Sequence, residues 1–125
     1  MKIFVSHSND FDYQNGLYVP LRNSSLNNKH EIFLPHENEK SVNTKDIIKD
    51  SDLIIAEVSY SATGLGIELG WADSFSKPIV CIYKEGNNTS NSLKSVTGEF
   101  ISYSNSEDLV KKLVSFLEKF DSSEG

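Results

Sequence analysis

Cysteine is nearly absent. Cys81 is the single one, so no disulfide can form within the chain. It sits inside the apolar run "PIVCIY", the setting of a buried, unreactive thiol rather than a nucleophile. No apolar run approaches the roughly 20 residues that a membrane span needs, and no cationic-then-apolar start marks a signal peptide. These absences lead to the expectation of a cytoplasmic chain with no membrane partner. An excess of positive charge is missing too. The net charge of -6 and a pI near 5.0 argue against a surface made for a nucleic acid polymer or an anionic membrane. Three dispersed histidines and one buried cysteine give no metal-ligand spacing, so neither a metal nor a cofactor is expected. No internal repeat and no linker rich in proline, glycine or serine divides the 125 residues. The reading is one domain over 1–120 with a frayed tail at 121–125.

What remains is alternation. "KIFVS" (2–6), "EIFLP" (31–35), "DLIIAEVS" (52–59), "PIVCIY" (78–83) and "EFISYS" (99–104) read as five strands. The third is apolar from Leu53 to Ala56 without alternation, as in a central parallel strand covered on both faces. Helices are expected near 12–23, where Pro20 must shorten or kink them, then over 43–50, and from Gly64 or Leu65 to Ser76. The last helix is the plainest. Leu109, Leu113, Phe116, Leu117 and Phe120 recur at helical spacing behind Glu107 and Asp108. This order predicts an α/β fold in three layers. It is flavodoxin-like, with a five-stranded parallel sheet in the order 2-1-3-4-5 and helices on both faces. Ligands then bind beyond the carboxyl ends of the strands. The polar, glycine-rich segments "SHSND", "PHENE", "EVSYSATG" and "KEGNNTSNS" all fall there.

Within that rim, "SATGLGIELGWADSFSKPIV" places Gly64 and Gly66 just ahead of Glu68. The glycines allow close approach of a ligand to the backbone. Glu68, read in the first turn of its helix, would benefit from the positive helix end. An ionised carboxylate held over a sugar can attack its anomeric carbon and form a covalent glycosyl ester. The plainer reading is an acid that stabilises its own helix. His7 in "SHSN" could contact a base, ribose or phosphate, or be a turn residue bonded to backbone. His36 follows the second strand and could line the same site, whereas His30 lies at the other end of the sheet. Asp52 reads as a turn or cap, and the direction of Glu57 is open. Trp71, one turn beyond Glu68, reads as core or as a dimer contact.

The segment "SDLIIAEVSYSATGLGIELGWADSFSKPIVCIY", Ser51 to Tyr83, resembles the central part of the nucleoside 2-deoxyribosyltransferase family, which includes the 2'-deoxynucleoside 5'-phosphate N-hydrolases. That resemblance implies cleavage or transfer at the N-glycosidic bond of a small-molecule nucleoside or nucleotide, with Glu68 as nucleophile. It implies a homodimer or higher assembly, with Ser92 inserted from a neighbouring subunit. Ser8 matches a serine of the first loop in the phosphate-binding members, and Asp10 stands where they have an arginine. Phe4 replaces a tyrosine whose hydroxyl touches the nucleophile. Thr44 stands in place of an aspartate, with Asp46 close by, and Ala62 in place of Asp or Ser, between Ser61 and Thr63. Two other readings stand beside this one. "KIFVSHS" with Asp10 is also similar to the start of Toll-receptor-like domains, some of which cleave NAD. The losses at Phe4, Thr44 and Ala62 would also suit a nucleotide-binding module without chemistry.

Overall fold

A computed structural model describes residues 1–38 and 43–124. Five strands form one parallel sheet: β1 (Lys2–His7), β2 (Glu31–Phe33), β3 (Leu53–Glu57), β4 (Ile79–Lys84) and β5 (Glu99–Tyr103). Their spatial order is β2-β1-β3-β4-β5, as the alternation of apolar runs predicts. The order turns between β1 and β3, whose register pairs Ser6 with Ala56 and His7 with Glu57.

Strand periodicity divides the core into two layers. Ile3, Val5 and Ile55 face one side and pack with Leu17, Leu21, Leu109, Leu113 and Leu117. Those leucines come from the chain after β1 and from α5 (Ser106–Glu124). Phe4, Ile54 and Ala56 face the other side, against Ile48 of α3 (Thr44–Lys49) and Leu65, Leu69 and Ala72 of α4 (Thr63–Ser74). Cys81 lies in this second layer with no exposure. Burial pushes its thiol up to about 12, which fits the unreactive role read from the sequence.

Several local details differ from the sequence reading. A π-helical turn over Gln14–Tyr18 continues into α1 (Val19–Arg22), so Pro20 enters a helical first turn instead of breaking one. The short α2 (Leu26–Lys29) and a 3₁₀ turn over Asn91–Ser95 carry no periodic signal and were not expected. α4 begins at Thr63, which places Glu68 in its second turn and corrects the first-turn assignment. α4 ends in a Schellman arrangement. Ser76 sits at φ 58°, the Lys77 amide donates to the Ala72 carbonyl at 2.9 Å, and the Ser76 amide donates to the Asp73 carbonyl at 2.9 Å. α5 runs on to Glu124, through part of the tail expected to fray.

Candidate active site

Phe4 stands where the family resemblance expects a tyrosine, and a hydroxyl is found two residues further along the strand. Phe4 is wholly buried on the α4 face, stacked on Phe33 with ring centroids 5.7 Å apart. Two residues further along β1, on the same face and nearer the rim, stands Ser6. Its hydroxyl donates to Glu68 Oε1 at 2.7 Å. Ser6 is itself fully buried, whereas Glu68 is half-buried, so one carboxylate oxygen is held from inside the fold. A charge-assisted bond of this kind orients the carboxylate as well as stabilising it. The sequence reading passed over Ser6. Period-2 alternation from Phe4 would have found it, since it puts the two on one face.

The helix that carries Glu68 is open at its start. Its N-cap, Ala62, has no side chain able to cap, and Ser61, Gly64 and Gly66 are exposed. A Cβ built at Gly64 or Gly66 would meet nothing within 4 Å, so these glycines leave clear space over the first turn. Ser61 and Gly66 border a cleft of about 150 Å³ together with Ser92 of the 3₁₀ turn. Ser92 is exposed; its amide donates to Ser90 Oγ at 3.3 Å and its carbonyl accepts the Ser95 hydroxyl at 2.7 Å.

His7 points to the opposite face from Ser6 and is nearly buried. Its Nδ1 lies 2.8 Å from the Ser8 carbonyl, which can only accept, so Nδ1 carries a proton. Its Nε2 lies 2.6 Å from the Tyr18 hydroxyl, which also accepts from the His36 amide at 3.0 Å. In the neutral Nδ1–H form, which burial favours, Nε2 accepts from the Tyr18 hydroxyl. Burial lowers its pKa and a nearby His36 adds to the effect, against the raising influence of the Ser8 carbonyl. Burial likewise pushes the Tyr18 hydroxyl well up. The rings of Tyr13, Tyr18 and His36 pack around the imidazole at centroid distances of 4.6, 5.2 and 5.5 Å.

The remaining candidates scatter. Ser8 is buried, and its hydroxyl accepts the Asp10 amide at 3.0 Å, closing the turn after β1. Asp46 lies on α3, where its carboxylate accepts from the Asn43 side chain at 3.1 Å. It borders a groove with Lys2, Glu31 and Asp50, apart from Glu68. His30, at the other end of the sheet, bonds the Met1 amino group. Asp52 accepts the Lys2 amide at 2.8 Å, as a cap would. Trp71 is partly buried against the α4-side core, with the Lys45 ammonium 5.7 Å from its ring centre. Glu57, left open by the sequence, turns inward on the His7 face and is 1% exposed. Among the described residues, no group of His, Cys, Asp and Glu could hold a metal ion.

No protein-family model matches the chain. Over 46 residues it is 35% identical to 5-hydroxymethyl-dUMP N-hydrolase of Branchiostoma floridae, a match covering 35% of this chain and 44% of that protein. The chain thus spans less than half of the curated relative that it matches. The solved CMP N-glycosidase of Clostridium botulinum superposes with a TM-score of 0.63 at 24% identity, over 90% of this chain and 98% of that one. The fold is shared. The resemblance is to the nucleoside 2-deoxyribosyltransferase-like proteins, locally in sequence and over most of the chain in architecture. A 2-deoxyribosyltransferase of Leishmania mexicana aligns at 18% identity with a TM-score of 0.48, over 66% of this chain and 63% of that one.

Proposed function

We propose that the chain cleaves or transfers at the N-glycosidic bond of a nucleoside or nucleotide, with Glu68 as nucleophile. The single observation that carries this reading is the Ser6–Glu68 bond beside an open helix start. It supplies from Ser6 the hydroxyl that Phe4 lacks, which speaks against a module that has kept the fold and lost the chemistry. The relatives named above are an N-hydrolase and an N-glycosidase, and both names fit this site.

In the proposed reaction, a Glu68 oxygen attacks the anomeric carbon. The carbon–nitrogen bond breaks with its electron pair going to the base, which leaves after taking a proton from water. Water or a second base then attacks the same carbon and releases the carboxylate, so that two displacements retain the configuration. Gly64, Gly66 and Ser61 form the open surface toward the sugar and its 5' substituent. The proposal further has a homodimer in the cytoplasm, in which Ser92 of the partner subunit completes each site. Asp46 does not take part.

The test is chromatography of purified protein with nucleosides, deoxynucleosides, their monophosphates and NAD, with and without an acceptor base. Free base released by the wild type and not by Glu68→Gln supports the hydrolytic form. Base exchange marks the transferase, and nicotinamide release favours NAD cleavage. Folded protein that turns over none of them overturns the proposal.

A further inference from the structure

At the carboxyl ends of β3 and β5 lies a buried acid that the proposed chemistry leaves unused. Glu57 is 1% exposed and forms no ion pair among the described residues, so its partners are hydrogen-bond donors. The Ser59 amide donates to Oε1 at 2.6 Å, while the Ser59 hydroxyl at 3.0 Å and the Tyr103 hydroxyl donate to Oε2. An ionised carboxylate offers about four acceptor positions, so one remains on Oε1. A buried carboxylate needs donors for its acceptor positions, and a position left over can serve a ligand.

Glu57 borders a cavity of about 380 Å³ that opens at the ligand-binding end of the sheet, on the face opposite Ser6 and Glu68. That volume falls within the range of small-molecule sites, roughly 300–1,000 Å³. One side is an aromatic wall, where Phe11 and Tyr60 are stacked at 5.6 Å with an interplanar angle of 25°. Tyr60 is 41% exposed, a large ring that the fold leaves in contact with solvent. Lys84, which forms no ion pair among the described residues, and Asp12 also line the cavity. The Glu57 carboxylate, which accepts from Ser59 and Tyr103, asks for a further donor.

We infer that this cavity is a second ligand subsite, and that it takes a planar heterocycle bearing N–H donors, the chemistry of an amino-substituted nucleobase. The amino edge donates to Glu57 while the ring face lies against the aromatic wall. Lys84 donates to an acceptor on the outer edge. Glu68 has no part in this contact, so the inference stands or falls apart from the glycosidic reading.

The experiment is calorimetric titration of the whole chain with adenine, cytosine and guanine, and with purine as the ring lacking an amino group. Four proteins are compared: wild type, Glu68→Gln, Glu57→Gln and Tyr60→Ala. Wild type and Glu68→Gln are expected to bind an amino-bearing base with the same affinity, and purine at least threefold more weakly. Glu57→Gln and Tyr60→Ala each weaken the amino-bearing base at least tenfold. The exposed position of Tyr60 keeps the test available if Glu57→Gln fails to fold. Binding of no base, binding lost with Glu68→Gln, or binding indifferent to Tyr60→Ala overturns the inference.

Discussion

The Ser6 hydroxyl holds Glu68 from beneath at 2.7 Å, tying the end of β1 to the second turn of α4 across 62 positions of sequence. A hydrogen bond to a charged group contributes about 1.5–3 kcal/mol. If it also fixes the attacking geometry, Ser6→Ala lowers kcat/KM about 10- to 100-fold under the proposed reaction. Ser6→Thr, which keeps a hydroxyl at the same place, recovers part of the loss. Steady-state kinetics of both variants, with thermal melts to confirm folding, check this. An unchanged kcat/KM in Ser6→Ala would remove Ser6 from the site.

The His7 imidazole titrates against stability. Its folded pKa lies below the ordinary value of 6.5 because burial disfavours the imidazolium. The unfolded chain therefore binds the proton more readily. Stability from this group is full above about pH 6.5 and is lost as pH falls through that value toward the lower folded one. Melting curves between pH 8 and 5 should show this decline, and His7→Gln should flatten it.

The Tyr18 hydroxyl bonds both His7 Nε2 and the His36 amide. Tyr18→Phe leaves the imidazole nitrogen without a donor in a buried setting, at a cost of about 1–3 kcal/mol. Urea unfolding of the variant should move to a lower midpoint with an unchanged slope.

Ser76 adopts a left-handed conformation at φ 58° to close α4, a position that favours glycine. Ser76→Gly should stabilise the chain by about 0.5–1 kcal/mol and raise Tm by a few degrees. Calorimetry reads both. A fall in Tm would mean that the serine side chain contributes more than its strain costs.

Cys81 should resist thiol reagents in the folded protein, since it has no exposure and burial pushes its pKa to about 12. One thiol equivalent should appear only after denaturant is added, as read by release of a chromogenic thiolate. Rapid modification without denaturant would contradict this burial.

The sheet was legible because each strand carries a local signal. Leu53 to Ala56 is apolar on both faces, and Ile79 to Ile82 repeats the pattern, so their central places follow from composition. Glu68 was singled out for a different reason, its flanking motif. The groups around it were not. The part played by Ser6 depends on which residue of α4 comes to lie over β1, a contact across 62 positions that no window along the chain reports. Glu57 remained open for the same reason, because its partner Tyr103 arrives from β5. The start of α4 at Thr63 escaped because Ala62 lacks the side-chain oxygen that marks most helix starts.

Ser6 and His7 are neighbours on one strand, yet the pleat sends them to opposite sides of the sheet, and His7 is in register with Glu57. The rim thus has two faces set back to back, each drawing its residues from alternate positions. Substitution at odd positions of β1 and β3 can alter what one side accepts while the carboxylate on the other keeps its support. The same pleat makes the arrangement intolerant of length change. One residue deleted from β1 ahead of Ser6 would turn the serine away from Glu68 and bring the imidazole to the position that faces it.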